Sequence, residues 1–243
     1  LNQLIEDAVF IVFVCSIGFL YAACFRSLWS AGKIGWKKYK FKAVEICCLC
    51  LGLAGFVCFA YGFYEPYTLT FSNVHIKSSK VSAKGAPIRI VHITDIHSDG
   101  FERLEGRLPG EIAKLKPDLI VFTGDAANNK SGLAIFRRCI TDIAKIAPTF
   151  AVYGNHDSRG GRLWDIYGQT GVQVLSGQSK TFFVRNTKIF VAGVAVDNEG
   201  GTAKALQGVP ADSYSIFLYH YPAGIDVASA RNIDLFCTGH THG

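Results

Sequence analysis

Five of the seven histidines in this chain fall in short clusters with Asp, Asn or Gly, and only His75 and His92 stand apart. In chain order the clusters are Asp95-Ile96-His97, Gly124-Asp125, Gly154-Asn155-His156-Asp157, His220 and Gly239-His240-Thr241-His242. Carboxylate oxygen suits hard divalent ions, and imidazole suits Zn, Fe or Mn. Asp95 and His97 are two apart, so on extended chain both side chains project to one side, and His240 and His242 repeat that spacing. Taken singly, each cluster has a plain structural reading. Asp-x-His also ends strands or caps helices, Asp after Gly commonly makes a turn, and one His at a strand end is usually structural. Five clusters in series, each directly after an apolar run, point instead to a metal centre.

The runs that must position them are short and β-branched. Residues 88–94, 119–123, 149–153 and 235–238 read as strands, as does 215–219 before His220. Helical segments lie between the first three, at 108–115 and 133–146. The latter sets Leu133, Phe136, Ile140, Ile143 and Ala144 on one face. Strands alternating with helices predict βαβ units. Residues 182–184 and 188–194 flank Asn186-Thr187 as a hairpin, so the sheet is not purely parallel. Ligands in such folds gather at the C-terminal ends of strands, where every cluster falls. Residues 67–76 alternate and read as a further strand, followed by a polar turn or linker over 78–87.

Thr94-Asp95-Ile96-His97, Gly124-Asp125-Ala126-Ala127-Asn128, Gly154-Asn155-His156-Asp157, Tyr219-His220-Tyr221-Pro222 and Gly239-His240-Thr241-His242 resemble the five ordered motifs of the calcineurin-like metallophosphoesterases. The resemblance spans residues 88–243 and looks closest to a bacterial membrane-anchored branch of YkuE-type phosphodiesterases. It implies an α/β fold, a four-layer α/β/β/α sandwich with mixed sheets. It also implies a dinuclear-metal-dependent hydrolase of phosphate esters, with two Mn, Zn or Fe ions and attack by metal-bound hydroxide. By the resemblance, Asp95, His97, Asp125 and His242 hold the first metal, and Asp125, Asn155, His220 and His240 the second, with Asp125 bridging. His156 protonates the leaving group or steadies the phosphoryl oxygens, and Asp157 fixes His156 through a hydrogen bond. Two departures from the family pattern stand out. Asn128 occupies a position where an acidic residue is common, and Tyr219 and Tyr221 flank His220 where smaller residues are common.

The first 65 residues are of another kind. Residues 8–25 and 46–64 carry no charge and approach the roughly 20 apolar residues that a helix needs to cross a bilayer. Glu6 and Asp7 before the first stretch argue against a secretory signal. Between the stretches, residues 26–42 hold Arg26, Lys33, Lys37, Lys38, Lys40 and Lys42 and no acid. Basic residues of short loops stay in the cytoplasm. The expectation is a multi-pass membrane protein: a transmembrane helical hairpin over 1–65, a strand and linker over 66–87, and an extracytoplasmic metallophosphoesterase domain over 88–243. The chain starts at Leu1 without Met and stops beside a His-rich motif, so truncation at both ends is expected.

The bulk composition narrows the partners. The formal net charge of +6 comes from 25 basic and 19 acidic residues. It divides into 6 basic and 4 acidic residues up to position 65, and 19 and 15 beyond, so neither part is strongly polarised. No basic helix with interleaved aromatics appears, which excludes a nucleic-acid reader. Spans without internal charge give no ion path, which argues against a transporter or channel. Six of the eight cysteines lie in the apolar stretches as small hydrophobes, leaving no disulfide framework. The expected substrate is a phosphodiester or pyrophosphate of a lipid head group at the membrane. The alternative is a catalytically inactive metal-binding scaffold of the same fold, and the complete ligand set with His156 weighs against it.

Overall fold

The computed structural model of the chain describes residues 2–81, 86–157 and 165–242. They form two compact units, Leu1–Leu69 and Thr70–Gly243.

The first unit is a helical hairpin. Helix α1 spans Asn2–Ile34 and α2 spans Ala43–Tyr64. α1 runs nine residues beyond the apolar stretch that ends at Phe25, into the basic segment expected as loop. Polar residues do not stop a helix; a turn must, and that turn begins at Gly35. The helices approach closely where Gly52 leaves room: the Tyr21 hydroxyl donates to the Gly52 carbonyl at 3.2 Å. At the start of α2, the Glu45 carboxylate accepts from Lys42 N at 2.8 Å. Both helices are long and apolar enough to cross a membrane. Their outer faces are exposed and apolar, with Phe19, Phe25, Phe56 and Phe59 each at least 60% accessible.

The second unit holds two four-stranded sheets. In the first, β1 (Ile90–Ile93), β2 (Leu119–Phe122), β3 (Thr149–Ala151) and β4 (Gln173–Val174) run parallel in chain order. Helices α3 (Leu108–Leu115) and α4 (Lys130–Ala144) provide the crossovers. In the second, β5 (Gln178–Val184) pairs antiparallel with β6 (Thr187–Val194), which continues parallel to β7 (Tyr214–Tyr219) and β8 (Leu235–Cys237). Short helices α5 (Thr202–Ala205) and α6 (Ile225–Ala230) connect these strands.

Alternation along the strands builds the layers. Leu119, Val121, Phe150 and Val152 face Ile189, Val191, Ile216 and Leu218 across the gap between the sheets, all buried. Phe122 points the other way, 5.2 Å from Phe136 of α4. Phe190, Ala192 and Phe217 turn outward onto Ala205, Leu206 and Ala228. The result is helix, sheet, sheet, helix: the expected four-layer α/β/β/α sandwich, with one mixed sheet. Each buried Phe contributes about 1.5–3 kcal/mol. Gly193 marks a close approach of the sheets: a Cβ there would lie 2.5 Å from Leu175 Cβ and 2.7 Å from Val152 Cγ1.

One expectation fails. Residues 68–78 form no strand, although 67–76 alternate in sequence. No partner strand lies beside them among the described residues, and Phe71, Val74 and Ile76 are exposed. Alternation supplies a face but not the neighbour that strand pairing needs. Of the linker expected at 78–87, residues 82–85 lie outside the described residues.

Candidate metal centre

All five clusters arrive at one rim. β1, β2 and β3 end at Asp95 with His97, at Asp125, and at Asn155 with His156; β7 and β8 end at His220 and at His240 with His242. The loops after β1 and β2 are tied along their backbones. Asp95 N donates to Gly124 O, His97 N to Asp125 O and Ser98 N to Ala126 O, at 3.0–3.1 Å. The third loop is tied in through Asp157. Its carboxylate, 1% exposed, accepts from the backbone N–H groups of Asp125 (2.9 Å), Ala126 (2.8 Å) and Gly154 (2.8 Å). The sequence reading gave Asp157 to His156; these bonds also make it the clasp of two loops. Burial pushes its carboxyl up to about 6, against the pull of those donors.

The ligand candidates hold unusual backbone geometry. Asp95, His97, Asp125, His240 and His242 all have φ between 46° and 74°, a region that non-Gly residues seldom adopt. Such outliers persist where the surroundings over-determine them, and they gather at functional sites. Gly124 (φ 100°) makes the turn into Asp125, and a Cβ there would stand 2.4 Å from the backbone nitrogen of Gly154, so only Gly fits.

At the centre lies Asp125, 2% exposed. Its Oδ1 accepts from His156 N at 2.8 Å. Its Oδ2 stands 3.4 Å from His97 Nε2 on one side and 3.4 Å from His220 Nε2 on the other. Asp95 Oδ1 is 3.9 Å from His97 Nε2 and 3.6 Å from His242 Nε2. Three triads result, with ligand atoms within 4.8 Å of one another: Asp95 with His97 and His242, His97 with Asp125 and His156, and Asp125 with His220 and His240. Asn155 Oδ1 lies 3.0 Å from His220 Nε2. The structure thus brings together every residue that the sequence reading assigned to a metal, and places the backbone of His156 on Asp125.

The donor chemistry fits cations. His220 Nδ1 lies 2.7 Å from the Thr123 carbonyl, which only accepts, so Nδ1 carries the ring proton. The Nε2 lone pair of the neutral ring then faces Asn155 Oδ1 and Asp125 Oδ2, both acceptors. Electron-pair donors converging on one point are satisfied by a metal ion. The electrostatics agree. Burial would lower the His220 pKa, yet Asp125 and the Thr123 carbonyl raise it. Burial would raise the Asp125 carboxyl, yet His220 and the His156 N–H hold it below the usual carboxylate range. The pocket favours positive charge.

Sequence reasoning missed the supports of these ligands. The Thr94 hydroxyl donates to Asp95 Oδ2 at 2.6 Å, and His240 N donates to the same carboxylate. Arg103 donates to the His97 carbonyl at 2.8 Å and pairs with Asp99 at 3.2 Å. Asn128, noted only as a departure, is bonded to His97. A backbone carbonyl such as Thr123 O leaves no mark in a sequence, but a Thr directly before the Asp is a visible signal.

Comparison with known proteins agrees with this geometry. The pattern of the family described as calcineurin-like phosphoesterase matches residues 88–243. An uncharacterized metallophosphoesterase of Aquifex aeolicus is 30% identical over 201 residues, 76% of this chain and 74% of that protein. Phosphodiesterase YaeI of Escherichia coli is 30% identical over 168 residues, 65% of this chain and 62% of that protein. The uncharacterized metallophosphoesterase YkuE of Bacillus subtilis is 28% identical over 197 residues, 74% of this chain and 67% of that protein.

Proposed function

The chain belongs to the calcineurin-like phosphoesterases and is a metal-dependent phosphoesterase, and from that premise we propose a membrane-anchored hydrolase of phosphodiesters or pyrophosphates of lipid head groups that works with two cations. The observation that carries the reading is Asp125 Oδ2, equidistant at 3.4 Å from His97 Nε2 and His220 Nε2. One carboxylate oxygen between two imidazoles is the arrangement a bridging ligand requires. Asp95, His97, Asp125 and His242 would hold the first ion, and Asp125, Asn155, His220 and His240 the second. Bound there, such a pair acidifies water and neutralises phosphate oxygens, the chemistry of two-metal hydrolysis.

The protein's own groups supply the rest. Asp125 and Asp95 bring the negative charge that retains the ions, while neutral Asn155 limits it, so that an anionic ester can approach. His156 lies beside His97, ring centroids 4.7 Å apart. From there its imidazole can hold a proton for the leaving oxygen, or donate to phosphoryl oxygens as charge builds. Asp157 keeps the loop of His156 against the loop of Asp125.

The two apolar helices support the anchor and the lipid part: substrate confined to a bilayer is met by a site tethered to it, whereas soluble esters need no tether. Residues 1–65 would be the anchor, 66–87 the linker and 88–243 the hydrolase. The basic segment 33–42 favours the cytoplasm, which puts the hydrolase on the far side.

The test is the full chain in detergent with Mn, Zn or Fe, assayed on bis(p-nitrophenyl) phosphate and on lipid phosphodiesters. Asp125→Ala is expected to abolish turnover and lose bound metal. His156→Ala is expected to retain metal while kcat drops by about 10²–10⁴-fold. Undiminished turnover in Asp125→Ala would refute the mechanism. Hydrolysis of nucleotides but not of lipid esters would refute the substrate class. Protease cleavage at Lys37–Lys42 only from the cytoplasmic face is the expected topology.

A further inference from the structure

Asn128 stands three residues beyond Asp125, at the end of the tied loops, and its side chain is spent on three hydrogen bonds at once. Its Nδ2 donates to the His97 carbonyl at 3.1 Å and to Asp99 Oδ1 at 3.1 Å. Its Oδ1 lies 2.8 Å from His97 Nδ1. A carbonyl and a carboxylate can only accept, so the NH₂ must face them and the amide oxygen must face the ring. An amide oxygen can only accept in turn, so the proton belongs on His97 Nδ1. The neutral ring then carries its lone pair on Nε2, the atom between Asp125 Oδ2 and Asp95 Oδ1.

We propose that Asn128 is a positioning residue for the first cation, selecting the Nδ1–H tautomer of His97 and fixing the plane of its ring. This rests on the two-cation reading above. The partner of one ring nitrogen decides which nitrogen is left for a metal. Asn does here what a carboxylate could do only in part. A carboxylate would accept from Nδ1, but it would present oxygen to the His97 carbonyl and to Asp99. The amide instead accepts with one arm and donates twice with the other, so His97 is held by its ring and its backbone through a single side chain. Arg103 completes the clamp by donating to the same carbonyl and pairing with Asp99.

The variants that separate tautomer selection from packing are Asn128→Leu, which keeps the size and removes every bond, and Asn128→Asp, which keeps the acceptor for Nδ1. The full chain is labelled with ¹⁵N-histidine in detergent, stripped of metal, and held above the histidine titration range. Long-range ¹⁵N–¹H spectra then report the tautomer of His97, assigned by the signal missing in His97→Gln. Wild type and Asn128→Asp are expected to carry the proton on Nδ1, and Asn128→Leu to move it to Nε2. In Mn²⁺ titrations, Asn128→Leu is expected to weaken one of the two ions by about 10–100-fold and leave the other in place, with Asn128→Asp falling between Leu and wild type. A proton on Nε2 in the wild type overturns the inference while leaving the cation reading intact. So does an Asn128→Leu variant with wild-type tautomer, or an Asn128→Asp variant as weak as Leu. A wild type that shows the Nδ1 tautomer but binds no Mn²⁺ overturns the cation reading, and with it the role given to Asn128.

Discussion

A carboxylate that grips backbone differs in its mutational signature from one proposed to hold metal, and Asp157 and Asp125 make the contrast within one site. Asp157→Asn turns one acceptor oxygen into an NH₂ facing an N–H donor. It is expected to cost about 1–3 kcal/mol, read as a lower urea midpoint, with metal content falling as the loops loosen. The ligand candidates themselves were legible because each carries a side chain suited to metals and each directly follows an apolar run. Their supports were not. Asp157 read only as a partner of His156 because the amides of Asp125, Ala126 and Gly154 have no letter in the sequence. Asn128 read as a departure because its value lies in the two acceptors brought to it by folding.

Among the elements, β6 and the β7–β8 connection make separate predictions. Gly193→Val is expected to destabilise by about 1–3 kcal/mol through contact with Leu175 and Val152, again read from urea midpoints. Asp234, just before β8, joins the strands: its Oδ2 accepts from Lys80 Nζ, Ser215 N and Ser215 Oγ, each at 2.8 Å. Burial would raise this carboxyl, but Lys80 and Ser215 hold it below its usual range. Its stabilisation is therefore complete above the unfolded value of about 3.9 and is lost as pH falls through the lower folded value. Asp234→Asn is expected to be less stable than wild type at neutral pH, with the gap closing under acid; a gap independent of pH would refute this. The strands were legible wherever apolar runs ended in turn or ligand residues. Residues 67–76 show the limit of that signal, since a pattern along one segment says nothing of what lies beside it. The short β4 and α5 have too few residues to show a period.

For the molecule as a whole, cations that bind only the folded form stabilise it by mass action. The second unit is expected to gain about 2.7 kcal/mol per bound ion at a hundredfold excess of Mn²⁺ over Kd, read as a higher Tm that falls again on adding EDTA. The helical signal of α1 and α2 should not follow it. A Tm indifferent to Mn²⁺ would count against both ion sites together. The division into an apolar hairpin and an α/β unit was legible from the distribution of charge alone, because a stretch of 18 residues without charge is rare in a water-facing domain.

Asp95, His97 and Ser98 on one loop are tied to Gly124, Asp125 and Ala126 on the next through main-chain amides. The cage is therefore built by the polypeptide and not by its contents. An occupant can leave and another enter without the walls having to re-form, so the ion found inside should track supply in the surrounding medium, and a preparation filled with the wrong element should be recoverable by dialysis.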